Sequence, residues 1–192
     1  MMNGKTTLYH TGFQTVAEPD VHFGRKNADF GQGFYLSGDR EFSLRWARQR
    51  RGCDTVLNIY EFDPAGLKIK EFCRDEAWFD YISANRAGAA DALAGYDVIV
   101  GPVANDTLYD TWGIITVGLL KRPQALRLLT GGPQYFQTVL KTEAAASRLR
   151  FLSAETLSGE VIGRYRESVR REEKAYQAFV AQELGGLTDL LD

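Results

Sequence analysis

The chain of 192 residues has few cysteines, few histidines and no long apolar run. Cys53 and Cys73 are too few for a disulfide framework and do not stand in a CxxC spacing. His10 and His22, the two histidines, have no metal-ligand spacing, which argues against a zinc site. No segment approaches the roughly 18 consecutive apolar residues of a membrane span. The N-terminal Met-Met-Asn-Gly-Lys-Thr-Thr lacks the apolar core of a signal peptide. A formal net charge of −2 supplies no global attraction to nucleic acid or to a membrane surface. Internal repeats, low-complexity tracts and long linkers are also missing. These absences lead to the expectation of one domain in a reducing cytoplasm, with no metal and no membrane partner. Its core should span residues 5–152, with a helical extension over 153–192.

An apolar fraction of 44% and a charged fraction of 25% are ordinary for a globular protein, and the length allows a sizeable core. The informative stretch is residues 29–47. Gly31 and Gly33 bracket Gln32, and Phe34-Tyr35-Leu36 is a short β-prone run. Ser37-Gly38-Asp39 stops it, and Asp39 can cap a helix starting at Arg40. Phe42 and Trp46 lie four apart on one helix face, with Ser43 beside it. This helix should end near Gly52, placing Arg48, Arg50 and Arg51 at its negative end. A strand carrying Tyr35 and a helix returning Ser43 and Trp46 describe a slot for a flat polar ring.

Elsewhere, residues 6–10 and 55–62 read as strands, and Asp63-Pro64-Ala65-Gly66 as a turn into a half-exposed strand over 67–72, together a β-hairpin. Residues 75–86 have helical spacing in Trp78, Tyr81, Ile82 and Asn85. Residues 96–100 form a buried-type strand, Asn105-Asp106 a helix cap, and 108–120 a helix. A short helix follows Pro123, then a strand over 135–141 and an alanine-rich helix capped by Thr142. Residues 150–152 make a last short strand. From Ser158 the chain is helical until Gly185-Gly186, with Val161, Tyr165, Val169, Tyr176 and Val180 on one stripe. Strands without a βαβ rhythm give the class α+β.

These residues carry a resemblance. The chain resembles ADP-ribosyltransferases of the diphtheria-toxin and poly(ADP-ribose)-polymerase type, which place a His-Tyr-Glu triad on three strands, and more closely the bacterial DUF3990 family. The matching pieces are Leu8-Tyr-His10, Gly24-Arg-Lys-Asn27, Asp29-Phe-Gly-Gln-Gly-Phe-Tyr35 and Trp46-Ala47. They continue with Trp78-Phe-Asp-Tyr-Ile82, Asn85-Arg86, residues 96–106 and residues 137–143.

The resemblance implies two small packed β-sheets forming a cleft for NAD, which serves as substrate. His10 would hold the adenosine ribose, and Thr11 stands where relatives have a glycine gripping the nicotinamide carboxamide. Tyr35 and Trp46 would stack on nicotinamide, and Ser43 would bond its carboxamide. Arg25 would meet the diphosphate and Asp29 brace the loop, with Gly33 and Asn105 beside the cofactor. Gln137 takes the place of the catalytic glutamate, keeping its hydrogen bond without its charge, and Asp106 is the candidate for an assisting acid. The implied activity is mono-ADP-ribosyl transfer to a macromolecule by a toxin-type effector, with a small antitoxin protein as partner. The alternatives are binding of NAD or ADP-ribose without reaction, and NAD hydrolysis.

Overall fold

The computed structural model describes residues 4–105 and 121–188. Their seven strands form two sheets. In the first, β1 (Thr6–Gly12), β3 (Val56–Phe62) and β7 (Leu149–Thr156) run antiparallel in the order β1-β3-β7. The second has the order β2-β6-β5-β4, from β2 (Phe34–Leu36), β6 (Phe136–Leu140), β5 (Val98–Pro102) and β4 (Ile69–Glu71). Only β4 and β5 pair in parallel. The architecture is therefore α+β with two small sheets and a C-terminal helix.

Strand alternation builds the layers. Val98 and Leu140 face Leu8, Phe34, Leu36, Tyr60 and Phe62 in the core between the sheets. Their neighbours Ile99 and Val139 point the other way, onto Phe30, Phe72, Trp78, Tyr81 and Ile82. Trp78, Tyr81 and Ile82 belong to α2 (Glu76–Arg86), which starts where the Asp75 carboxylate accepts the Trp78 backbone N–H at 2.9 Å. The buried Trp78 indole donates to the Pro102 carbonyl at 3.0 Å and pins α2 to β5.

Three expectations are corrected. Residues 55–72 are not a hairpin: after the 63–66 turn the chain leaves β3 and enters the other sheet as β4, beside β5. Phe72 explains this, because its ring stacks on Tyr81 and Phe30, on the far side of that sheet. The helix after Asp39, α1 (Arg40–Leu44), stops well before Gly52. The Arg48 guanidinium donates to the Arg45 and Ala47 carbonyls at 2.7 and 2.9 Å, meeting by side chain the acceptors that further helix would use. The last helix, α5 (Gly159–Thr188), runs through Gly185-Gly186. The helix expected at 108–120 lies outside the described residues.

The short α3 (Arg122–Thr130) and α4 (Glu143–Ala146) flank β6. The stripe of α5 packs inward: Tyr165 joins Leu44 and Leu57, while Tyr176 and Val180 join Phe42, Val103 and Leu128. No helix among the described residues is long and apolar enough to cross a membrane.

Candidate functional site

Two backbone hydrogen bonds link the sheets where β1 crosses the end of β2. Tyr9 N–H donates to the Ser37 carbonyl at 2.8 Å, and Ser37 N–H returns to the Tyr9 carbonyl at 3.0 Å. Beside this crossing lies a cavity of about 360 Å³, within the usual size range of small-molecule sites. His10, Thr11, Arg25, Asp29, Tyr35, Ser43, Trp46 and Gln137 are all on its wall. β1, the loop before β2, β2, α1 with the turn after it, and β6 thus bring together eight residues spread over more than a hundred positions.

Tyr35 projects from β2 opposite Val139, two residues from Gln137, so the two side chains share a sheet face as diagonal neighbours. The Tyr35 hydroxyl donates to the Gly31 carbonyl at 2.7 Å and accepts the Phe30 N–H at 3.0 Å. Burial first, and then the Asp29 charge, push its pKa far above the ordinary phenol value, against the opposing Phe30 hydrogen bond. The ring therefore stays neutral, and its polar tip is already occupied. His10 Nδ1 lies 2.8 Å from the Tyr35 carbonyl, which requires that nitrogen to carry a proton and donate. Burial lowers the His10 pKa, opposed by this hydrogen bond, so Nε2 of the neutral ring is an acceptor.

Thr11 does not use its hydroxyl in the cavity: Oγ1 donates to the Ser43 carbonyl at 2.6 Å and ties β1 to α1. Ser43 Oγ donates to the Asp39 carbonyl at 3.0 Å, one turn back, which leaves its lone pairs for a donor. Trp46 is 38% exposed, and its ring stands edge-on to Phe42 with centroids 6.0 Å apart. Asp29 is braced from α2, accepting Arg86 Nε at 2.7 Å with both side chains under 9% exposed. Gln137 Nε2 is out of water and meets no hydrogen-bond acceptor among the described residues. A buried amide donor without an acceptor is costly, and on a cavity wall it matches a ligand oxygen.

Two predicted residues are not on the wall. Gly33 faces β6, where a Cβ would come within 2.6 Å of the Leu140 carbonyl oxygen, so its glycine serves close strand packing. Asn105 is fully buried and bonds the Arg74 side chain and the Gly131 and Pro133 carbonyls, stapling the loop before β6. Asp106 lies outside the described residues. Sequence reasoning missed Tyr9, Leu36 and Ser37, which line the cavity because the sheets cross there. It also missed that Arg86, which ends α2, is the partner of Asp29.

No curated protein and no solved structure matches the chain. Residues 6–151 match the family model described as "Protein of unknown function (DUF3990)". That segment runs from the first residue of β1 into β7 and takes in β1 to β6 and every wall residue of the cavity, so the chain belongs to the DUF3990 family.

Proposed function

We propose that the protein is an NAD-dependent mono-ADP-ribosyltransferase that moves ADP-ribose to a macromolecule and releases nicotinamide. The observation that carries this reading is the convergence of His10, Tyr35 and Gln137, from three different strands, on one cavity shared with Ser43 and Trp46. Transfer breaks the bond between ribose C1 and the nicotinamide nitrogen, which keeps the electron pair. An acceptor heteroatom bonds to C1 and loses its proton to solvent. Tyr35 and Trp46 offer ring faces to the pyridine, worth about 1–3 kcal/mol for each good stack. Ser43 Oγ accepts from the carboxamide, neutral His10 Nε2 accepts from a ribose hydroxyl, and Arg25 meets the diphosphate. The Gln137 amide donates to the 2-hydroxyl oxygen but brings no negative charge to the oxocarbenium-like centre, so turnover is slow. By the same resemblance the protein is a toxin-type effector with a small antitoxin partner.

Incubating the protein with labelled NAD and a cell lysate tests this. Nicotinamide release and a labelled acceptor are expected, both lost in a folded Tyr35→Ala variant; no label with any lysate would overturn the reading. Gln137 favours one other reading, an NAD- or ADP-ribose-binding module that does not react. Among the described residues the wall holds one carboxylate, Asp29, and Arg86 engages it. Calorimetric NAD binding with no nicotinamide release over hours, together with activity gained in Gln137→Glu, selects that reading.

A further inference from the structure

We infer that Lys141 is a positioning residue for the cavity: with Asp91 it fastens the 29–31 segment, which fixes the Tyr35 hydroxyl and so the ring face that a ligand meets. The consequence for NAD rests on the NAD-dependent reading; the fastening itself can be tested without it.

Every backbone group from the Asp29 carbonyl to the Gly31 carbonyl has a partner. The Asp29 carbonyl accepts Asn85 Nδ2 at 3.0 Å, and the Phe30 N–H donates to the Tyr35 hydroxyl at 3.0 Å. The Phe30 carbonyl accepts the Lys141 ammonium, and the Gly31 N–H donates to the Ala28 carbonyl at 2.8 Å. The Gly31 carbonyl then accepts the Tyr35 hydroxyl at 2.7 Å. Lys141 thus holds the peptide group that lies between the two backbone groups bonded to Tyr35. Gly31 allows this turn at φ +70°, and its missing side chain admits the ion pair. A Cβ there would come 2.8 Å from Lys141 Nζ and 3.1 Å from Asp91 Oδ2.

The Lys141 side chain is 6% exposed, and its ammonium lies 2.8 Å from Asp91 Oδ2. Asp91 Oδ1 accepts the Tyr81 hydroxyl at 2.8 Å and the Leu93 N–H at 2.9 Å. Burial works to raise the Asp91 pKa, but donation from Lys141, Leu93 and Tyr81 outweighs it and holds the value below that of an ordinary aspartate. The pair is therefore charged at neutral pH. A buried ion pair adds little stability over apolar side chains of the same volume, whereas a carbonyl is held only by a donor. Lys141 is also placed for the task. Gln137, Val139 and Lys141 alternate along β6 and just past its end, on the face shared with Tyr35. One end of this row offers an amide to the cavity, and the other an ammonium to the Phe30 carbonyl. Lys141, Asp91 and Asn85 line a separate hollow of about 400 Å³, so they act on a ligand in the first cavity through the 29–31 segment.

The test combines Lys141→Met with Asp91→Asn, which removes both charges and leaves no lone ion buried. Amide exchange without ligand should speed up roughly tenfold at the Phe30 N–H, with the Tyr9 and Ser37 N–H groups of the sheet crossing unchanged. Calorimetry should show NAD binding weakened about tenfold, a coupling ordinary for side chains in one hydrogen-bond network. In a Tyr35→Phe background the same two changes should weaken it by no more than about twofold, because the hydroxyl through which they act is gone. A merely structural role would lower affinity equally in both backgrounds and speed exchange at all three amides; either result, or unchanged exchange at Phe30, would overturn the proposal. If the unmodified protein binds no NAD, the transferase reading falls, and the exchange comparison still decides whether Lys141 fastens the segment.

Discussion

The Asp29 carboxylate reaches the cavity wall already held by Arg86 from α2, with both side chains withdrawn from water. Arg86→Met leaves that carboxylate buried without its cation and should cost about 3 kcal/mol of stability, seen as a lower urea midpoint at unchanged slope. The two residues are 57 positions apart, and an ion pair between elements leaves no periodic trace, so each was visible in the sequence and their pairing was not. His10 makes a prediction about pH. Burial depresses its folded pKa below the ordinary imidazole value near 6.5. As pH falls through 6.5 the unfolded chain takes up a proton that the folded chain refuses, so stability falls with it. That loss levels off only below the folded pKa, where both states are charged. Denaturant titrations from pH 7.5 to 5 should show a shallower acid decline in His10→Asn than in the unmodified protein.

Elements were legible where local chemistry decides them. Asp39 and Thr142 cap α1 and α4 as expected from the sequence, and Asp75 caps α2 by the same chemistry. Asp39→Ala should cost about 1 kcal/mol by thermal unfolding, and weaken ligand binding as well, because α1 and the turn after it present Ser43 and Trp46. Elements were misread where distant contacts decide. The residues after Leu44 have helix-forming side chains, yet Arg48 turns back on the Arg45 and Ala47 carbonyls and the chain leaves for β3. The 63–66 turn is real, but a turn does not say which sheet receives the next strand. Gly33 shows the same limit, since its function depends on β6, more than a hundred residues later. Gly33→Ala should push β2 off β6 at a cost of about 2 kcal/mol and reduce NAD binding by displacing Tyr35, measurable by calorimetry against urea unfolding.

For the molecule as a whole, the family segment ends at residue 151, but the packing does not. Ile162, Tyr165, Val169, Tyr176 and Val180 of α5 are buried, and the Tyr176 hydroxyl donates to the Leu128 carbonyl at 2.8 Å. The same helix holds the element that presents the cavity wall: Glu172 pairs with Arg45 at 2.8 Å, and Tyr165 bonds Glu41. Each buried side chain of this kind is worth about 1.5–3 kcal/mol, so a chain ending at residue 157 should give insoluble or loosely packed protein, seen as lost near-ultraviolet dichroism. The apolar stripe was visible in the sequence, but its site of packing was not, because amphipathicity marks a face without naming its neighbour. The unsatisfied Gln137 amide has a practical consequence. A small molecule that lends it an oxygen makes the folded state itself harder to melt, whether or not any bond is cut. Candidate nucleotides can therefore be ranked by melting alone, and one present at a hundred times its dissociation constant should raise the midpoint by roughly 5–10 °C.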